Sequence, residues 1–131
     1  MPRTPAELKE LLREEAARLG FAAFGVASVE APLRSEYFKQ WLAEGKHGGM
    51  DWLERNNDRR LAPERLLTAP TGEPVARSLV MVGLNYNQAE PARRYRIAKY
   101  ALGRDYHNLM LKRLRKLAAL LREHGGEARA Y

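Results

Sequence analysis

Ser78-Leu79-Val80-Met81-Val82-Gly83-Leu84-Asn85-Tyr86 is the stretch on which the fold turns. An almost unbroken apolar run, rich in β-branched residues and closed by an amide and a phenol, reads as a strand with cover on both faces. Cover requires helices, and the flanking sequence supplies them. Thr4-Pro5-Ala6-Glu7 is a capping box with proline in the first turn, so a helix starts at Pro5. Leu8, Leu11, Leu12, Ala16 and Leu19 share one face of it, Glu15 interrupts that face, and Gly20 is placed to end it. Phe21 to Val29 turns aromatic and β-branched, which predicts a second strand, with Gly25 allowing a bulge or a close backbone approach.

Between the strands, Ser35 to about Glu44 presents Phe38, Trp41 and Leu42 at helical spacing and stops at Gly45. Met50 to Leu53 predicts a short helical turn, Arg55 to Arg60 an irregular polar segment, Pro63 to Leu67 another turn, and Thr68 to Pro74 a loop dense in breakers. Beyond the polar linker Asn87 to Ala92, Tyr95 to Gly103 stays ambiguous between strand and helix. Asp105 caps a long helix from Tyr106 to His124, striped by Tyr106, Met110, Leu114, Leu117 and Leu121 and closed by Gly125-Gly126. Glu127 to Tyr131 looks like the start of a further strand. The fold class is therefore α/β in the broad sense (α+β), with helices packed on a small, mostly antiparallel sheet.

The 131 residues hold 23 Lys+Arg against 16 Asp+Glu, a formal charge of +7, and no cysteine. A chain of this length buries enough surface for a core without staples. The missing thiols exclude disulfides, zinc–thiolate clusters, cysteine nucleophiles and any iron–sulfur centre ligated from these residues. No run approaches the roughly 18 apolar residues of a membrane span, and the N-terminus is charged instead of signal-like. These features predict a soluble, cytoplasmic protein without a membrane partner. The basic balance points toward a polyanion, nucleic acid first.

That charge is densest between Arg93 and Lys116, where Arg93, Arg94, Arg96, Lys99, Arg104, Lys112, Arg113, Arg115 and Lys116 face one acid, Asp105. The block reads as a phosphate-binding surface. The plainer reading, a solvated helix face plus a basic loop, is the one that composition alone favours. Gly103-Arg104-Asp105-Tyr106-His107 places a carboxylate, a phenol and an imidazole at a helix N-terminus, where backbone amides also attract anions. Again a simpler account exists, with Asp105 as cap and Tyr106 as core. Asn85-Tyr86, at a strand end, and the loop His47-Gly48-Gly49-Met50, which could admit a large flat ligand, are the remaining candidates. The three histidines lack metal-ligand spacing, and no dinucleotide, Walker or serine-triad signature is present.

Four segments, taken in order, carry a resemblance: Leu19-Gly20-Phe21 with Phe24-Gly25-Val26-Ala27; Trp41 to Leu53; Ala76 to Tyr86; and Arg96 to His107, ending Gly-Arg-Asp-Tyr-His. Together they resemble the N-terminal domain of epoxyqueuosine reductases over nearly the whole chain. Thr68 to Val75 departs from the family pattern, being longer and richer in proline. The resemblance implies a nitroreductase-like, cobalamin-binding fold for residues 1–131, incomplete at the C-terminus. It also implies a ferredoxin-like domain with two 4Fe-4S clusters that this chain does not contain. The implied activity is oxidoreductase: epoxyqueuosine in the anticodon loop of tRNA is reduced to queuosine, with electrons passing from the clusters to cobalt.

Carried onto this chain, the resemblance makes Asp105, Tyr106 and His107 the catalytic pocket near the modified base. It makes Asn85, Tyr86, Tyr100 and Met50 the cobalamin neighbourhood, and Arg104, Lys112, Arg113, Arg115 and Lys116 the tRNA contacts. The family's principal catalytic aspartate follows the strand that begins near Arg129, so the chain alone is expected to be inactive. The alternative is a stand-alone basic module that binds tRNA or a corrinoid without reductase activity.

Overall fold

The computed structural model describes residues 3–89, 92 and 94–131; Glu90 and Pro91 of the polar linker and Arg93 of the basic block lie outside the described residues. The described residues fall into two compact units. One is built from residues up to Val26 together with Val80–Tyr131, and the other is the intervening Ala27–Leu79.

The first unit rests on two helices, α1 (Pro5–Arg18) and α5 (Tyr106–Glu123), and on two strands, β1 (Ala23–Ser28) and β2 (Ser78–Gly83), whose outer ends run on into the second unit. The capping box at Thr4 forms: its hydroxyl accepts from the Glu7 amide at 3.3 Å while the Glu7 carboxylate accepts from the Thr4 amide at 2.7 Å. The Thr4 amide, and after it the Thr4 hydroxyl donating to the same carboxylate oxygen at 2.9 Å, hold the Glu7 carboxyl below its ordinary pKa. Gly20 ends α1 at a φ of +85°, a conformation that costs glycine nothing. Glu15 resolves its place in the apolar face by pairing with Arg18 at 2.5–2.6 Å. Leu12, Ala16, Phe21 and Leu117 form the buried centre, with Phe24, Val80, Val82, Leu84, Met110 and Leu114 packed around them.

The strands form a two-stranded sheet. It is antiparallel: the Ala22 amide, just before β1, donates to Gly83 O at the far end of β2, at 2.8 Å. The close backbone approach falls at Gly83 and not at Gly25. A Cβ on Gly83 would lie 3.1 Å from that of Ala23, whereas Gly25 faces open space. Cover is one-sided as well. Val80, Val82 and Leu84 pack on the core, but Met81, on the opposite face, is 62% exposed. The ladder stops at Gly83, leaving Asn85 and Tyr86 beyond it, and Glu127–Tyr131 joins no strand.

The second unit holds α2 (Ser35–Ala43), α3 (Trp52–Arg55), α4 (Asn57–Leu61) and a 3₁₀ turn over Pro63–Leu66. Helix α4 replaces the irregular segment expected there. Arg60 N–H donates to Asn56 O at 3.0 Å, and the Arg60 guanidinium lies 5.8 Å from the rings of both Phe38 and Trp52. That cation–π pairing with residues distant in sequence favours the helix over a solvated coil. Leu42, Leu53, Pro63 and His47 are buried, with Phe38 stacked on Trp41 at 6.1 Å. The proline-rich loop is ordered by a bridge between Thr68 and Pro74.

Leu117 is 3% exposed in the centre of the first unit. Leu117→Ala is expected to cost about 2–5 kcal/mol in chemical denaturation, while Met81→Ala on the open sheet face costs less than about 1 kcal/mol.

Candidate functional site

Three segments of the first unit converge beyond the end of β2: the run 84–88, the stretch 99–105 and the first turns of α5. Asn85 ends the strand direction, its Oδ1 accepting from the Asn87 amide at 2.8 Å. Asn87 Oδ1 then accepts from Lys99 Nζ at 2.7 Å, tying the first segment to the second. The second contains a 3₁₀ turn over Lys99–Ala101, which settles the ambiguous stretch, and reverses at Gly103 with φ +93°. A side chain would be strained at Gly103 whatever the surrounding space, and the reversal delivers Asp105 to the start of α5.

Asp105 caps that helix with one oxygen. Its Oδ1 accepts from the His107 amide at 2.9 Å and lies 2.7 Å from His107 Nδ1. The backbone bond first, then the ring contact, holds the Asp105 carboxyl below the ordinary aspartate range. An ionised carboxylate can only accept, so His107 Nδ1 is the donor in this contact. The expected anion site at these amides is thus partly taken up by the chain's own carboxylate. Tyr106 is 40% exposed, so the apolar stripe of α5 begins after it, at Met110.

The three segments enclose an open cleft of about 660 Å³. Its wall carries Tyr86, Tyr100 and Tyr106 in edge-to-face succession, with centroids 6.4 and 6.5 Å apart, and His107 stacks on Tyr106 at 4.1 Å. Leu84, Leu102 and Leu109 add apolar surface, Lys99, Arg104 and Lys112 add cations, and Asn85, Asn87, Gln88 and Asn108 add carboxamides. The carboxamides Asn87, Gln88 and Asn108 were not among the sequence candidates. An amide-rich run directly after an apolar strand was the signal for the first two.

Of the sequence candidates, Asn85, Tyr86, Tyr100, Arg104, Asp105, Tyr106 and Lys112 line this one cleft, and His107 adjoins it through Asp105 and Tyr106. Met50 belongs to the other unit and is not part of the lining. The basic helix residues divide. The Arg113 guanidinium packs over Gly20, where an added Cβ would meet it at 3.2 Å, while the Glu15 carboxyl is held low chiefly by its hydrogen bond from Arg18, the charge of Lys116 adding least. Arg113 thus packs at the end of α1, whereas Arg115 and Lys116 are both exposed on α5. The net charge is equally uneven. The unit 27–79 carries eight basic and eight acidic residues, so the whole +7 resides in the unit that holds the cleft.

The family model described as epoxyqueuosine reductase QueG, DUF1730, matches residues 60–131. Among curated proteins, the chain is 32% identical to an epoxyqueuosine reductase of Xanthomonas campestris pv. campestris over 93% of this chain and 35% of that protein. It is 37% identical to one of Synechococcus sp. RCC307, over 92% and 37% respectively, and 29% identical to that of Escherichia coli K12, over 90% and 32%. The chain thus spans about a third of the length of the curated relatives it matches. No solved structure matches. Among the described residues, no helix is long and apolar enough to cross a membrane.

Removing the His107 ring separates the two bonds to Asp105. In His107→Ala, a carboxyl-detected NMR titration is expected to show the Asp105 pKa rising partway toward the ordinary value, the backbone bond keeping the rest. Because the folded-state pKa is depressed, the cap's contribution to stability is complete above the unfolded aspartate pKa and lost as pH falls through the folded one.

Proposed function

The chain belongs to the epoxyqueuosine reductase QueG, DUF1730 family, and from that membership we propose that its cleft holds the RNA substrate and one side of the cofactor of such an enzyme. The observation that carries this reading is positional: every cleft residue, from Leu84 to Lys112, falls inside the matched span 60–131. The proposed reaction reduces epoxyqueuosine in tRNA to queuosine. An electron pair and two protons are taken up, the epoxide oxygen leaves as water and an alkene forms.

When bound, cobalamin supplies the reducing centre for this chemistry. A corrin offers flat apolar faces rimmed by amides, and the cleft offers matching groups: the rings of Tyr86 and Tyr100, and the carboxamides of Asn85, Asn87, Gln88 and Asn108. These residues suit one wall of a cofactor site and are the ones proposed to hold it. The proposed 4Fe-4S clusters do not fit this chain, which has no cysteine to ligate them. Their place in the proposal is the part of the relatives' length that these 131 residues do not span.

Proton handling divides among three neighbours. Asp105, held ionised by its two donors, positions the His107 ring and keeps Nδ1 protonated. The proton donors to a leaving oxygen are then the doubly protonated His107 ring, through Nε2, and the Tyr106 hydroxyl. Arg104 and Lys112 meet phosphates from the cleft wall, with Arg113, Arg115 and Lys116 further along α5.

The second reading, a stand-alone module binding tRNA or a corrinoid, draws on the absence of cysteine. The two separate when this chain replaces the matched segment of the Escherichia coli relative and tRNA from reductase-deficient cells carrying that chimera is analysed for queuosine; conversion supports the enzyme reading, and the module reading expects binding without conversion.

For the RNA part, Arg104→Glu combined with Lys112→Glu is expected to weaken tRNA binding and reduce the log–log salt slope by about 1 for each phosphate no longer neutralised. Unchanged affinity and slope in a salt titration would remove these residues from the interface. For the cofactor part, titrating the chain into cob(II)alamin is expected to perturb its visible spectrum, less so with Tyr100→Leu; an unperturbed spectrum at high protein concentration counts against the wall assignment.

A further inference from the structure

Lys99 stands apart from the basic residues around it. From Arg94 to Ala101 every residue is exposed except Lys99, which is half-buried, so this one long cation is turned inward. Its ammonium goes not to a carboxylate but to a carboxamide oxygen, Asn87 Oδ1, at 2.7 Å. Both ends of that bond are themselves tied down. The Asn87 amide donates to Asn85 Oδ1 at 2.8 Å, and Lys99 O accepts from the Leu102 amide at 3.1 Å, so Lys99 also opens the 3₁₀ turn that carries Tyr100. Among the described residues, no backbone hydrogen bond joins 84–88 to 99–105. The other polar link across them, from Gln88 Nε2 to Leu102 O, is long at 3.5 Å, and beside it the Tyr86 and Tyr100 rings meet edge to face.

We propose that Lys99 is a positioning residue: by strapping 84–88 to 99–105 it holds the Tyr86 and Tyr100 rings together as one wall, and it is not a phosphate contact. The inference rests on reading that wall as one side of the cofactor site, and adds what keeps its two halves in place. Segments without a backbone ladder between them are free to part. A wall whose halves part has to be reassembled when a ligand binds, and that ordering lowers affinity. A cation suits the task, because a hydrogen bond from an ionised donor is stronger than one between neutral groups. An ammonium already engaged inside the protein adds nothing to the counterions that phosphate contacts release, so Lys99 stays out of the salt dependence to which Arg104 and Lys112 contribute.

The test begins with the ligand-free chain, in which NMR reads the nuclear Overhauser effect between the Tyr86 and Tyr100 rings. Lys99→Met, which keeps the stem and removes the donor, is expected to lose that contact. Asn87→Leu, which removes the acceptor and keeps the lysine charge, should lose it as well, whereas Lys99→Arg, which keeps a donor, should retain it. Circular dichroism checks that each variant is folded. In a spectral titration, Lys99→Met should bind cob(II)alamin about three- to tenfold more weakly, the range of one hydrogen bond, and Lys99→Arg should recover the affinity. The log–log salt slope for tRNA should be the same in Lys99→Met as in the unsubstituted chain. A ring contact that survives Lys99→Met, or a slope that falls by about 1 in that variant, overturns the strap. An unsubstituted chain that leaves the cob(II)alamin spectrum unperturbed overturns the cofactor wall instead, and the ring contact still decides whether Lys99 joins the two segments.

Discussion

The packing of Leu12 and Ala16 of α1 against Leu117 of α5, with Phe21 closing the centre, is the contact on which the first unit depends. Ala16 is 1% exposed, and its small side chain leaves room for the larger residues to meet. Two consequences follow. The core face of β2 is fixed by the same cluster through Val80, Val82 and Leu84, so the chain leaves the sheet at a set point and Asn85 and Tyr86 emerge there. Helix α5 is fixed along its middle, which sets where its first turn and the Asp105 cap stand. The cleft is therefore assembled from the free ends of elements whose other parts are buried together, a common way of holding exposed functional groups on a rigid base.

Electrostatics divide along the same lines. Basic residues that looked equivalent along the sequence have different duties once α5 is seated. Arg113 packs over Gly20 at the end of α1, Lys99 is engaged by Asn87, and Arg104 and Lys112 stay at the cleft. A charge count over the stretch could not separate them, because the distinction lies in which side of a helix each residue occupies and what stands opposite. The Asp105–His107 contact is a different case: it is local, short and set by a spacing of two residues.

What was legible in the sequence was what is decided within a few residues. The Thr4–Glu7 box, the glycine stops after α1 and α2, and the Asp105 cap all carry their causes in neighbouring side chains. What escaped depended on distant partners. Helix α4 exists beside the rings of Phe38 and Trp52, which no local pattern around Arg60 announces. The apolar run of β2 suggested two covered faces, yet hydrophobicity says only that cover is favourable, and Met81 stands exposed. Tyr106 matched the period of the α5 stripe, but periodicity cannot say where along a helix the partner begins. Of the site, the Gly-Arg-Asp-Tyr-His run and Asn85-Tyr86 were readable; their meeting with Tyr100 required the reversal at Gly103.

The antiparallel pairing of β1 and β2 has a topological consequence. The chain departs from the first unit along one strand and returns along the other, so the whole excursion Ala27–Leu79 begins and ends on a single ladder. The ladder works as a clasp. Once its ends are joined, the entropy of closing the excursion grows only with the logarithm of its length. Residues between the strands can then be lengthened, shortened or replaced at small cost to the helices and cleft of the first unit. Substitution at Gly83, where an added Cβ would crowd that of Ala23, has less latitude. Variation is permitted inside the excursion and penalised at its fastening.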